Sequence, residues 1–411
     1  MTSCSPQVKN PYRYTRLQLI ILKKGNIHMA ISRLTDTTFH DKHNSNCIIQ
    51  QRKEGKMKKK LIFELIILAL FTSVILAGPT FAAEPVVTWK VYIPFHEGLW
   101  HHKTAQIWAD DVFKMSGGRM EIDLIGPIGA EYPVDIFSTV QKGIGDAGYT
   151  SPVFVVPKFP AAMLFAGSPA FFDLMGYFTW MHAYGGKELL QETYGNALKV
   201  FPAGLFWAKV GGWGNKKIEN LSDFKGQRYR PTVPTWGKIL SEAGASMVMV
   251  PLGTDVIFFF ERGTLDAAES LTPWTDMLIG FHKFRQYCYF PGLQQIAGFF
   301  ELLINNRKWE ALPSDLKEIV KGACDAAMTR SLTNWLLDDT KAINLLKDQG
   351  KVTVVKYPKE MQQEILDKFV AQYDGVKDPM FQKVWKSQKE FMKIYVPYMK
   401  LQQVDAEVKL K

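Results

Sequence analysis

Two adjacent residues in this 411-residue chain with the chemistry for metal binding or proton transfer are His101 and His102, in the stretch WHHKTAQIWADDVFKMS. The stretch reads as a helix, where sequence neighbours point to different faces, so the pair makes no chelate. Asp110 and Asp111 read as an exposed face of the same helix. No GxSxG elbow, HExxH, phosphate loop or Cys-x-x-Cys is present, so a protein without enzymatic activity is expected. A different pattern is written twice. KGIGDAGYTS from Lys142 and RGTLDAAES from Arg262 share a basic residue, Gly, two variable positions, then Asp-Ala, and the basic residues stand 120 positions apart. The Gly suits a left-handed helix cap, the basic residue faces the negative end of the helix dipole, and Asp-Ala starts a strand. Two occurrences mark equivalent places in two similar lobes.

The N-terminal region sets the compartment. Met57 opens MKKKLIFELIILALFTSVILAGPTFAAE, in which three lysines precede an apolar run and small residues suited to cleavage near Ala82 or Ala83. This is the layout of a Sec signal peptide over residues 57–83. Glu64 interrupts the run and no basic stop-transfer flank follows, which argues against a membrane anchor. Pro79 stands where a lipoprotein would need Cys, so the expected product is periplasmic and soluble after cleavage. Residues 1–56 read as a misannotated extension upstream of the true start. Residues 1–83 carry 13 Lys/Arg and 4 Asp/Glu, so the formal charge of +10 falls to about +1 for residues 84–411, and no nucleic-acid partner is expected. Cys288 and Cys324 remain in that portion, with no spacing that indicates a metal site or a disulfide framework.

Residues 84–411 are enough for two lobes. VTWKVYIPF reads as a strand, the HHK stretch as a helix ending at Gly117-Gly118, MEIDLIG as a strand, YPVDIFSTVQKG as a helix closed by Gly143, and the first echo as a strand. The pattern restarts from Val200, with strands at LKVFPAGLFW, MVMVPL and TLDAAESL and helices at TWGKILSEAGA and TDVIFFFERG. The expected fold is α/β, each lobe a mainly parallel sheet flanked by helices, with ligand chemistry at the C-terminal strand edges. Lobe 1 is placed at 84–205, lobe 2 at 206–305, and a helical region at 306–411 packs on both.

The segment WGKILSEAGASMVMVPLGTDVIFFFERGTLDAAESLTPWTDMLIGFHKFRQYCYFPG, followed by LLINNRKWEALP, resembles the DctP-type solute receptors of TRAP transporters, and among them the branch that binds 2-oxo or 2-hydroxy monocarboxylates. The likeness runs from about Val87 to Val396 and includes DFKGQRYRP, GGW, GFHKF and YFPG. It implies a type II-like two-lobed periplasmic binding protein with a long C-terminal helix spanning both lobes. It also implies capture of a small organic acid by lobe closure and delivery to TRAP membrane permease subunits. A periplasmic sensor for a membrane signalling protein would need the same cleft. Some members of the branch pair through their terminal helices, so a homodimer is one expectation. The aromatic stripe Phe381, Trp385, Phe391, Tyr395 and Tyr398 fits packing on the lobes equally well.

The resemblance assigns the substrate carboxylate to Arg230, the last Arg of DFKGQRYRP, and a guanidinium offers two parallel N–H donors where Lys offers a point charge. It also assigns Glu269 to a sodium or calcium ion, although no cofactor is required. This chain departs from the pattern at four positions. Ser270 replaces a Trp, Lys209 stands where a Gln contributes to the ion site, and Gly214 replaces a Phe. Leu205 stands where a second Gln is frequent. In one reading Lys209 displaces the ion and neutralises Glu269 or contacts the ligand, whereas in the other Lys209 faces solvent and the ion survives. Further ligand candidates are Trp213, Asn215, Gln295, Tyr149 and Ser151; His96 is given a structural role.

Overall fold

The computed structural model describes residues 87–127, 135–250 and 255–402. The leader and the residues before it lie outside these. Among the described residues no helix is long and apolar enough to cross a membrane.

The chain opens with β1 (Val87–Tyr92), which turns Trp89 and Val91 inward and Thr88 and Lys90 outward, as a two-residue period requires. Helix α1 (Trp100–Met115) buries Trp100, Thr104, Ala105, Trp108 and Val112 on one stripe and stops at Gly117 and Gly118, both at positive φ. Strand β2 (Met120–Ile125), helix α2 (Ile136–Gln141) and β3 (Ala147–Thr150) follow. Three helices, α3 (Met163–Ala166), α4 (Leu174–Ala183) and α5 (Gly186–Tyr194), then lead to the long β4 (Lys199–Trp207). The second half contains β5 (Gly212–Gly214), β6 (Arg228–Arg230), α6 (Pro234–Glu242), β7 (Ser246–Met247), α7 (Asp255–Glu261), β8 (Ala267–Ala268), α8 (Pro273–Ile279) and β9 (Tyr287–Tyr289). It is followed by β10 (Ala297–Ile304), α9 (Asn306–Ala311), α10 (Ser314–Gln349), β11 (Thr353–Val355), α11 (Lys359–Asp374) and α12 (Pro379–Gln402).

Two sheets result, ordered β2-β1-β3-β10-β4 and β11-β9-β5-β8-β6-β7. In each, one strand runs against its neighbours. β10 is antiparallel to β3 and β4, and β5 is antiparallel to β8 and β9, while the remaining pairs are parallel. These reversed strands are the ones the chain enters on crossing between lobes. Division by chain order, 206–305 for lobe 2 and 306–411 for a helical cover, therefore needs correction, because β10 returns to the first sheet and β11 adds an edge to the second. The MVMVPL run also forms less strand than expected. Only Ser246–Met247 pair, with Val248 N–H donating to Tyr229 O.

The echoed motif has a double explanation. After α2, Gly143 N–H donates to Val140 O and Ile144 N–H to Thr139 O; after α7, Gly263 N–H donates to Phe260 O and Thr264 N–H to Phe259 O. Both are Schellman caps, with Gly143 at φ +77° and Gly263 at φ +64°. The Asp then clamps the next strand. Asp146 N–H donates to Lys90 O while its carboxylate accepts Lys90 N–H at 2.8 Å; Asp266 does the same with Arg228, also at 2.8 Å. Each Asp also meets a cation, Lys308 at 2.8 Å for Asp146 and Arg228 at 2.6 Å for Asp266.

Helix α10 joins the two halves. Ser331 Oγ accepts Leu205 N–H from β4, Trp335 Nε1 donates to Thr272 Oγ1, and Asp339 accepts Trp274 N–H from α8. On α12, Phe381 and Trp385 are buried against Tyr373, Phe391 packs on Phe172, and Tyr395 donates to Asp173 at 2.6 Å; Tyr398 is exposed. Most of the stripe is thus covered by the chain itself.

In the first core Glu301 of β10 is fully buried, accepts the Tyr194 hydroxyl at 2.7 Å, and has its pKa pushed from 4.5 up to about 8 by burial. The fold favours its protonated form, so its contribution to stability is complete below about pH 4.5 and is lost as pH rises through about 8. Glu301→Gln should flatten that loss, by a few kcal/mol in order of magnitude, in thermal melts recorded from pH 5 to about 9. Asp146→Ala should cost about 1–2 kcal/mol in urea unfolding, since it leaves Lys90 N–H and Lys308 without their shared acceptor.

Candidate functional site

Strands β6 and β8 are parallel with Arg230 opposite Ala268, so Arg230 and Glu269 are neighbours at the C-terminal edge of the second sheet. Glu269 N–H donates to Arg230 O at 3.1 Å, and Arg230 Nη1 donates back to Glu269 O at 2.9 Å. Arg230 Nε donates to Val250 O at 3.0 Å, which fixes the guanidinium plane. Both residues are buried.

The Glu269 carboxylate is surrounded by donors. Oε1 accepts Thr232 N–H, the Thr232 hydroxyl and Val233 N–H, at 2.5, 2.5 and 3.2 Å, and Oε2 accepts Gln294 Nε2 at 2.5 Å. Thr232 and Val233 lead into α6, whose first residue is Pro234, so these N–H groups belong to the end of a helix that lacks internal acceptors and carries partial positive charge.

Lys209 and Gln294 come from the two crossover segments, which are hydrogen-bonded to each other. Lys209 N–H donates to Gln295 O, Gly211 N–H to Tyr289 O and Gly292 N–H to Lys209 O. Lys209 is 8 % exposed and its Nζ lies 3.4 Å from Thr232 Oγ1, so it does not face solvent. Burial lowers its pKa, the charges of Glu269 and Asp276 oppose that effect, and Arg230 adds to it. From the first lobe His101 packs among Phe95, Phe300 and Trp335 at centroid distances of 4.5, 5.0 and 5.3 Å. Burial, and then the charge of Lys209, hold its pKa down at about 3, so it is a neutral imidazole. Its Nδ1 has no hydrogen-bond partner among the described residues.

Behind this group Asp276 of α8 accepts Leu271 N–H at 2.9 Å and Trp213 Nε1 at 2.8 Å, and burial pushes its pKa up to about 7. Ser270 is fully buried beside Asp276, and its hydroxyl makes no bond of normal geometry among the described residues. Trp213 is a core residue packed on Phe281 and reaches the site only by holding Asp276.

Several sequence candidates fall elsewhere. Tyr149 is sealed in the first core against Trp108 and Phe300, with its hydroxyl donating to Ala203 O, because its side of β3 faces inward rather than toward the cleft. Asn215 follows β5, which is reversed, so its register places it beside Asp266 at the opposite edge of the sheet from Glu269. There it is exposed and accepts Gln286 N–H. Gln295 donates to Ala166 O at 2.7 Å, and it is the preceding Gln294 that reaches Glu269. Ser151 is buried just beyond β3 and precedes a short 3-10 turn. Leu205 is core, and Gly214 lies next to Ala267. Sequence reasoning missed Thr232, Gln294 and His101. The Thr-Val-Pro helix start was the one available signal, for Thr232.

Among the described residues no three His, Cys, Asp or Glu side chains stand together as a metal site. A profile of the family described as bacterial extracellular solute-binding protein, family 7, matches residues 96–378. A monocarboxylate 2-oxoacid-binding periplasmic protein of Nostoc sp. is 28% identical over 316 residues, 76% of this chain and 86% of that protein. Two solved TRAP periplasmic solute-binding proteins are similar in fold and each 25% identical. One, from Pseudoalteromonas atlantica with bound sodium and pyruvate, has a TM-score of 0.70 and covers 77% of this chain and 96% of its own. The other, from Colwellia psychrerythraea with bound calcium and pyruvate, has a TM-score of 0.71 and covers 77% and 97%. With the two-sheet α/β architecture and with Arg230 and Glu269 adjoining at the strand ends, the match places this chain in the family 7 extracellular solute-binding proteins, the DctP receptors of TRAP transport.

Proposed function

We propose that this protein is exported by its leader, captures a small organic monocarboxylate of the 2-oxo or 2-hydroxy class between its lobes, and presents it to a TRAP membrane permease. The observation that carries the reading is the buried pairing of Arg230 with Glu269 at the C-terminal edge of the second sheet, with Lys209 alongside. Lys209 and Arg230 set two cationic side chains against the Glu269 carboxylate, with Asp276 behind them shifted by burial toward its protonated form, and an anion is the favourable complement to such buried cations. His101, neutral and aromatic-packed, adds a polar atom from the other lobe without adding charge. Transport is favoured over catalysis because the matching family and the 2-oxoacid-binding relative are solute-binding proteins.

The crossover segments carry Lys209 on one side and Gln294 on the other, so ligand contacts made there report directly on how the lobes stand. Differential contacts in the closed state are what let a ligand shift the population. A sensor role uses the same cleft and differs only in the membrane partner. Arg230→Lys should weaken binding of pyruvate or a larger 2-oxo acid by about 10- to 100-fold, the worth of a charge-assisted bidentate bond, when measured by isothermal titration. Undiminished affinity in that variant would remove Arg230 from the carboxylate role.

A further inference from the structure

The pyruvate-bound relatives contain sodium in one case and calcium in the other. The donor set at the equivalent chemistry of this chain does not suit such an ion. Calcium takes six to eight oxygen ligands, carboxylates commonly among them, and any such cation needs oxygen lone pairs turned toward it. The carboxylate available here, Glu269, already accepts four hydrogen bonds, three on Oε1 from Thr232 and Val233 and one on Oε2 from Gln294. Each of those partners presents a hydrogen, which repels a metal ion as an oxygen lone pair would not. The remaining nearby charged groups are Lys209 and Arg230, both cations, and Asp276, whose two oxygens are bonded to Leu271 N–H and Trp213 Nε1. Lys209 is buried within this group, its Nζ 3.4 Å from the Thr232 hydroxyl that itself binds Glu269.

Resting on the carboxylate reading above, we propose that this receptor binds its ligand without a metal ion, the Lys209 ammonium supplying positive charge in place of one. An ammonium donates hydrogen bonds and cannot be removed by a chelator, so ligand recognition changes in kind. The ligand must offer acceptor oxygens at both its carboxylate and its second oxygen, and a 2-oxo group fits where a free 2-ammonium group would be repelled by Lys209. The inferred ligands are therefore 2-oxo or 2-hydroxy acids and not the corresponding amino acids.

Isothermal titration of the purified protein tests this with pyruvate, 2-oxobutyrate, lactate and alanine, each prepared as a sodium-free solution. Each is run in chelator with choline chloride, then with sodium chloride, then with calcium chloride. The expected result is binding of at least one oxo or hydroxy acid whose affinity changes by less than about twofold among the three conditions, with no binding of alanine. A drop of about tenfold or more in chelator, restored by either ion, overturns the inference while leaving the carboxylate reading intact. Failure of every acid in every condition overturns that reading, and the inference with it. Lys209→Gln should lose about tenfold or more in chelator and stay weak with calcium, because the donors around Glu269 remain, while Lys209→Arg retains ion-free binding; both are checked for folding by thermal melting. Lys209→Gln binding as tightly as the parent in chelator also overturns the inference.

Discussion

Charge balance in a place that water barely reaches governs this molecule. Lys209, Arg230 and Glu269 are all buried, and a buried charge persists only when hydrogen bonds and opposite charges replace the hydration it has lost. The fold supplies that replacement through backbone groups that ordinary secondary structure leaves over. The N–H groups at the start of α6 serve Glu269, and the carbonyls of Val250 and Glu269 serve Arg230. Placement at the ends of β6 and β8 is thus a condition for these charges to exist inside the protein, before any ligand is considered.

The same residues sit where the lobes are joined. Lys209 and Gln294 lie on two crossover segments tied by Lys209 N–H to Gln295 O and Gly292 N–H to Lys209 O, so a group bound between them would touch the chain that connects the two sheets. Helix α10 braces this region from behind with bonds to β4, to Thr272 and to Trp274. Rigid lobes with a short, bonded connection are the arrangement in which a small binding energy moves a large body.

Much of this could be read from residue order. Gly117-Gly118, Gly143 and Gly263 ended helices as their type dictates, and the paired basic-Gly-x-x-Asp-Ala motif located equivalent strands in the two lobes. Its Asp proved to be a clamp on the adjacent strand, a long-range bond that local pattern cannot reveal. Motif position singles out Arg230 and Glu269, and their contact follows from strand register. Asn215 was misplaced because the reversal of β5 depends on a pairing with β8 and β9 that is distant in sequence. The sequence points to Gln295 whereas Gln294 reaches Glu269, because adjacent residues on an irregular segment differ only in which way they point. Tyr149 ends a strand as expected, yet its facing was set by the core around Trp108.

The reversed strand β10 has a consequence for how the molecule comes into being. Among the described residues β4 pairs in its sheet with β10 alone, and β3 has β10 on one flank, so both leave open edges until residues 297–304 arrive. A chain emerging from its N-terminus therefore holds the first sheet incomplete until β5 to β9 of the second have passed, and its earliest strands are sealed late.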